Sequence, residues 1–195
     1  MTIGDPRIRQ EWTDAAFAGL VVHGPDAVQV RRLALTLRVD EGTFRQHFEG
    51  LADLRAQVVA QWRKVSTVQI VSGLERLGLE PRETLVELVR RALGSPEPGY
   101  GGLPKDPGAI HVAVRTWART SDEVAAELER LETARTAYIA DLLVRAGIPA
   151  PLAERRAALA HAGLLGAEVL RGPRTFEGVR VADFVDSILA GAELG

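Results

Sequence analysis

The chain is expected to be all-α, with about nine helices. Apolar residues recur at i, i+3, i+4 and i+7 through nearly every segment. Helix openings and stops punctuate those segments, with Asp5-Pro6 and Asp106-Pro107 as starts and Gly24, Gly78 and Gly147 as ends. No alternating strand pattern persists and no internal repeat shows. Two parts are predicted: a small three-helix domain over residues 1–50 and a helical body over 51–195.

Asp5 opens the first helix, where Ile8, Trp12, Ala15, Ala16 and Leu20 keep helical spacing to Val22. Trp12 at this spacing reads as a core anchor rather than a stacking platform for a partner. Val30, Leu33, Ala34 and Leu37 line one face of a second, short helix, and Arg38-Val39 follows as a turn. Asp40 is an N-cap for a third helix, Glu41 to Phe48, on which Phe44 and Phe48 are four apart and face inward. Thr43, Arg45, Gln46 and His47 then point outward or along the edge. Two short helices joined by a tight turn, the second pinned by two aromatics and showing polar tips, form the helix-turn-helix that enters a DNA major groove.

A long helix is predicted from Leu51 to Leu77, with a face of Leu54, Val58, Trp62, Val65, Val68 or Gln69, and Ser72. Pro81 opens another, with Leu85, Leu88, Val89 and Ala92 inward. Residues 94–107 hold four glycines and four prolines and read as a surface loop, with a cover over a pocket mouth as the alternative. Ile110, Ala113, Val114 and Trp117 line the next helix. Ser121 starts a long helix to Ala146 whose inward set is Val124, Leu128, Leu131, Ala134 or Arg135, Tyr138, Leu142, and Val144 or Arg145. Pro149 and Pro151 are expected to separate it from Leu152–Leu170, and a final helix, about Val181 to Ala190, carries Phe184, Ile188 and Leu189.

Composition narrows the function. The 195 residues are 46% hydrophobic and 26% charged, with a formal net charge of −2. No apolar run approaches the ~20 residues that span a bilayer. The start, MTIGDPRIRQ, lacks the apolar core of a signal peptide, so a cytoplasmic location and no membrane partner are expected. There is no cysteine, and His23, His47, His111 and His161 lack metal-ligand spacing, so neither a metal nor another cofactor is expected. H-E-x-x-H, G-x-S-x-G and phosphate-binding glycine loops are missing, which argues against an enzyme. Arginine outnumbers lysine 22 to two and asparagine is absent, so adenine must be read by glutamine or arginine.

The motif resembles that of the tetracycline-repressor (TetR) family of bacterial transcription regulators. The matching residues are Val30, Arg31, Leu33, Ala34, Val39, Gly42, Thr43, Phe44, His47, Phe48 and Leu54, preceded by Asp14-Ala15-Ala16 and His23-Gly24. They lie in about the first quarter of the chain; the remainder fits by layout. Four positions depart from the family pattern: Arg38 replaces the turn glycine, Arg45 a tyrosine, Leu51 a lysine, and Glu41 a frequent lysine. The resemblance implies a ligand-responsive DNA-binding regulator, most naturally a repressor that binds a palindromic operator as a homodimer. Arg45 and Gln46 are the expected base readers and Thr43 a phosphate or thymine-methyl contact. Gly42 allows close backbone approach, and Arg31 and His47 suit phosphates. Through residue 50 six Arg/Lys face seven Asp/Glu, so non-specific attraction to DNA is expected to be weak.

The same resemblance implies a small-molecule cavity among the long helices, with Trp62, His111, Trp117 and Tyr138 as candidate lining and Arg115 as anchor for an acidic group. Each is also a natural packing or surface residue. Small residues at Ala157, Ala158, Ala160, Ala162, Gly163, Gly166 and Ala167 suit a close helix pair, which places the expected homodimer contact at about 152–170 and 181–190. Intrachain packing would use small residues equally well. The competing reading is a helical module for small molecules or proteins whose DNA binding is weakened or lost.

Overall fold

A computed structural model describes residues 4–93, 107–169 and 181–190. Among them every regular element is helical. They are α1 (Pro6–His23), α2 (Val30–Leu37), α3 (Glu41–His47), α4 (Leu51–Arg63), α5 (Gln69–Glu75) and α6 (Pro81–Leu93). Then come α7 (Pro107–Ala118), α8 (Asp122–Arg145), α9 (Ala150–Val169) and α10 (Val181–Leu189). A π-helical stretch, Lys64–Val68, runs from α4 into α5 without a break, so the pair counts as one helix of the expected nine. The glycine- and proline-rich stretch lies outside the described residues except for Pro107, and so does Leu170.

The chain forms two compact units, Met1–Val65 with Glu97–Leu128 and Ser66–Pro96 with Glu129–Gly195. In the first, α1 is central and packs on α2, α4 and α7. Asp5 caps it by accepting the Arg7 N–H at 2.8 Å, with Pro6 in the first turn where its missing N–H leaves no bond unmade. Trp12, Ala16 and Leu20 are buried as the spacing predicts, and so is Phe17, outside the expected set. Leu33 and Ala34 bury the inner side of α2. The third helix ends at His47, one residue earlier than predicted, because Phe48 turns extended at φ −128°. Ile110, Ala113, Val114 and Trp117 of α7 are all buried.

In the second unit α6, α9 and α10 pack together, and α5 packs on α6. Its core joins Leu85 and Val89 to Leu142, Leu143 and Ile148, to Ala153, Ala157 and Ala160, and to Val185 and Ile188. Four expectations need correction. The predicted face past Trp62 does not continue as expected: Val68 and Gln69 are both exposed, Ser72 is half-buried, and Leu74 is the buried residue. The π stretch inserts about one residue into the 3.6 repeat and rotates the helix face by ~100°. Its irregular backbone is met by Arg135, which donates from Nη2 to the Ser66 carbonyl and from Nε to Thr67 Oγ1, both at 2.8 Å.

On α8, Ile139 and Leu143 are buried, whereas Ala134, Val144 and Arg145 are exposed. Val144 stands two residues from Leu142, about 200° around the helix, so both cannot face one core. Pro151 does not break the chain before α9; it sits in that helix's first turn, where no N–H is required. On α10, Val185 is buried deeper than Phe184 or Leu189.

Arg38 closes α2 at φ 57° and ψ 42°, and it alone among the described non-glycine residues has positive φ. Arg38→Gly removes the Cβ clash of that left-handed conformation. It should raise the unfolding free energy by about 0.5–1 kcal/mol. A urea melt showing equal or lower stability would contradict the strain.

Candidate nucleic-acid interface

The polar face of α3 is positioned from beneath by three rings. Phe44 and Phe48 stack with centroids 4.9 Å apart and planes 8° apart, while Trp12 of α1 lies 5.2 Å from Phe44 and 6.5 Å edge-on to Phe48. All three are buried. With Phe44 and Phe48 fixed, the positions between them turn outward, and Arg45 and Gln46 are exposed. Thr43 is half-buried at the edge. Arg31 is exposed in the first turn of α2.

The start of α3 is held by Asp40, whose Oδ1 accepts the Gly42 N–H at 2.6 Å. A Cβ on Gly42 would lie 2.7 Å from that oxygen, so glycine here protects the cap. This intrachain requirement stands beside the close approach to DNA inferred from the sequence.

The end of α3 is held by Arg9. Its guanidinium donates to both carboxylate oxygens of Asp53, at 3.0 and 2.8 Å, and from Nη1 to the His47 carbonyl. Its Cζ also lies 4.4 Å from the centroid of the Phe48 ring. The Glu49 N–H donates to Asp53 Oδ2 at 3.3 Å. The Asp53 carboxyl is held below its usual range chiefly by the Arg9 hydrogen bond, with the Glu49 N–H and the Arg9 charge adding; burial opposes them. Sequence reasoning missed this pair, because the partners are 44 positions apart and nothing local marks either one.

His47 is half-buried, and its Nδ1 accepts the Asp5 N–H at 3.0 Å. In the neutral ring that bond leaves the proton on Nε2, which is then the free donor. His47 therefore also anchors the beginning of α1, a role its place in the motif did not suggest.

Four of the five residues expected to line a cavity belong to the first unit. Trp62, His111 and Trp117 are buried there and Arg115 is half-buried. Trp62 and His111 meet edge to face with centroids 6.3 Å apart. Tyr138 is half-buried in the second unit, its phenol pushed up by burial and by the charges of Glu75 and Asp141, with Arg145 opposing. Among the described residues no helix is long and apolar enough to cross a membrane, and no group of three His, Asp or Glu could hold a metal.

No family model and no curated protein matches the chain. Among solved structures it is similar to a transcriptional regulator from Rhodococcus sp. Rha1, with a TM-score of 0.69 at 19% identity over 93% of each chain. At that identity the likeness is one of fold: the all-helical architecture is shared almost end to end.

A carboxylate with a depressed folded pKa adds stability above its unfolded value, near 3.8, and loses that contribution as pH falls through the folded value. Asp53→Asn should therefore destabilise the protein at pH 7, by about 1–3 kcal/mol. The gap from wild type should narrow steadily below pH 4, where the wild-type carboxyl itself protonates. A gap that does not change between pH 7 and pH 3 would show that Asp53 acts through shape alone.

Proposed function

We propose that this protein is a DNA-binding transcription regulator of the tetracycline-repressor family, most naturally a repressor released from its operator by a small molecule. The observation that carries the reading is the exposed edge of α3, with Arg45 and Gln46 outward over a ring stack that fixes the helix. The fold shared with a transcriptional regulator supports it, as does the helix-turn-helix motif. In this reading residues 1–50 bind DNA, and 51–195 hold the effector site and the dimer contact. Arg45 and Gln46 read bases, Thr43 touches a phosphate or a thymine methyl, and the Gly42 backbone closes on the strand. Arg31 and the Nε2–H of His47 meet phosphates.

A homodimer through α9 and α10 would set the two motifs one DNA turn apart, ~34–36 Å, on a near-palindrome. The surface of α9 supports that partner. Ala153, Ala157, Ala160 and Ala167 are used in the chain's own core, which leaves Ala158, Leu159 and Ala162 exposed beside one another, Leu159 at 73%. For the effector, Trp62, His111, Trp117 and Arg115 of the first unit remain proposed contacts, and an acidic group would suit Arg115; Tyr138, in the second unit, is a separate candidate.

The second reading is a helical small-molecule- or protein-binding module with weakened DNA binding, favoured by the six basic against seven acidic residues through position 50. Selection from random duplex DNA by the full chain separates the two. The regulator reading expects an enriched near-palindrome, and each of Arg45→Ala and Gln46→Ala should weaken its binding by about 1–3 kcal/mol, roughly tenfold to a hundredfold. Melting curves of both variants should match wild type, since neither side chain is buried. No enriched sequence, or no loss in either variant, would favour the module.

A further inference from the structure

Where α5 packs on α6, Gly73 leaves a gap that an arginine fills. A Cβ at Gly73 would lie 2.6 Å from Nη1 of Arg91, so the guanidinium occupies the place of the missing side chain. Nη2 of Arg76 reaches within 3.8 Å of the same point. Two like charges thus converge over one glycine.

Their donors exceed the acceptors nearby. Arg91 Nε donates to Glu87 Oε1 at 2.9 Å, and Arg90 Nη1 binds the other oxygen of the same carboxylate. Those two arginines hold the Glu87 carboxyl below its usual range, the Arg91 hydrogen bond being the main cause. Among the described residues, the Nη groups of Arg91 and the guanidinium of Arg76, an exposed residue, donate to no protein acceptor and stand open to water or a ligand. The Arg91 side chain is only 30% exposed, so water screens it incompletely. The ends of α5 and α6 favour cations through their free carbonyls, which accounts for arginine at these positions. Arg76, three residues beyond Gly73, leans back over that glycine as helix side chains do, and Arg91 is brought to the same place from α6.

We propose that Arg76 and Arg91 form a binding site over Gly73 for an oxyanion of a small molecule, a carboxylate or a phosphate. A planar fork of N–H donors matches either group, and a bound oxyanion would relieve the repulsion between the two cations. The site lies within the second unit and does not depend on whether the protein binds DNA.

The test is thermal melting of the full chain with inorganic phosphate and, separately, with citrate, against sodium chloride at matched ionic strength. Wild type should gain stability saturably with at least one anion beyond the chloride control. A response to phosphate alone identifies a phosphoryl ligand, and one to citrate alone a carboxylate. Arg76→Gln should weaken that binding by about tenfold, the loss of one charged hydrogen-bonding partner. Gly73→Ala should displace Arg91 and weaken it as well; if that variant does not fold, Arg76→Gln decides. No gain over chloride with either anion, or unchanged binding in Arg76→Gln, overturns the proposal.

Discussion

The guanidinium of Arg9 is the contact on which the helix-turn-helix depends. It ties α1 to the end of α3 through the His47 carbonyl and to the start of α4 through Asp53, and it lies against the Phe48 ring. A charge that is 14% exposed is tolerated only when it is paired, and this one has the Asp53 carboxylate and the His47 carbonyl as acceptors, with the Phe48 ring against its face. The Trp12, Phe44 and Phe48 rings supply the buried area, but rings alone permit sliding. The directional bonds of Arg9 select one seating of α3 on α1.

That seating bears on the proposed chemistry. A small domain without net positive charge must rely on placed contacts, because little counterion release is available to bind DNA of any sequence. Placement then requires that α3 be fixed at both ends. Asp40 and Gly42 fix its beginning, and Arg9, with His47 on Asp5, fixes its end. Arg38 retains a left-handed turn without glycine, so the geometry of the turn is kept at some expense in stability.

Elsewhere, polar side chains meet irregular backbone or each other where helix periodicity breaks. The π stretch at Lys64–Val68 shifts the buried face to Leu74, and Arg135 bonds its backbone. A few residues on, Gly73 admits Arg91 beside Arg76. Each feature joins residues distant in the chain, and each concerns where a charge goes once helices are packed.

Helix identity, the turn at Arg38-Val39, the Asp40 cap and the inward Phe44 and Phe48 were all legible locally, because periodicity, N-caps and turns are interactions over one to four residues. The outward direction of Arg45 and Gln46 followed from the same period. What only the tertiary structure decided were contacts across long separations: Arg9 with Asp53, Asp5 with His47, Arg91 over Gly73. The buried face of α5 also waited on packing, since one inserted residue turns a helix face by ~100° and a count along the sequence cannot register it. The outward side of Val144 on α8, by contrast, follows from the helical period alone. The small residues of α9 carried two meanings at once, and burial of Ala157 and Ala160 with exposure of Ala158 and Ala162 sorted them by side.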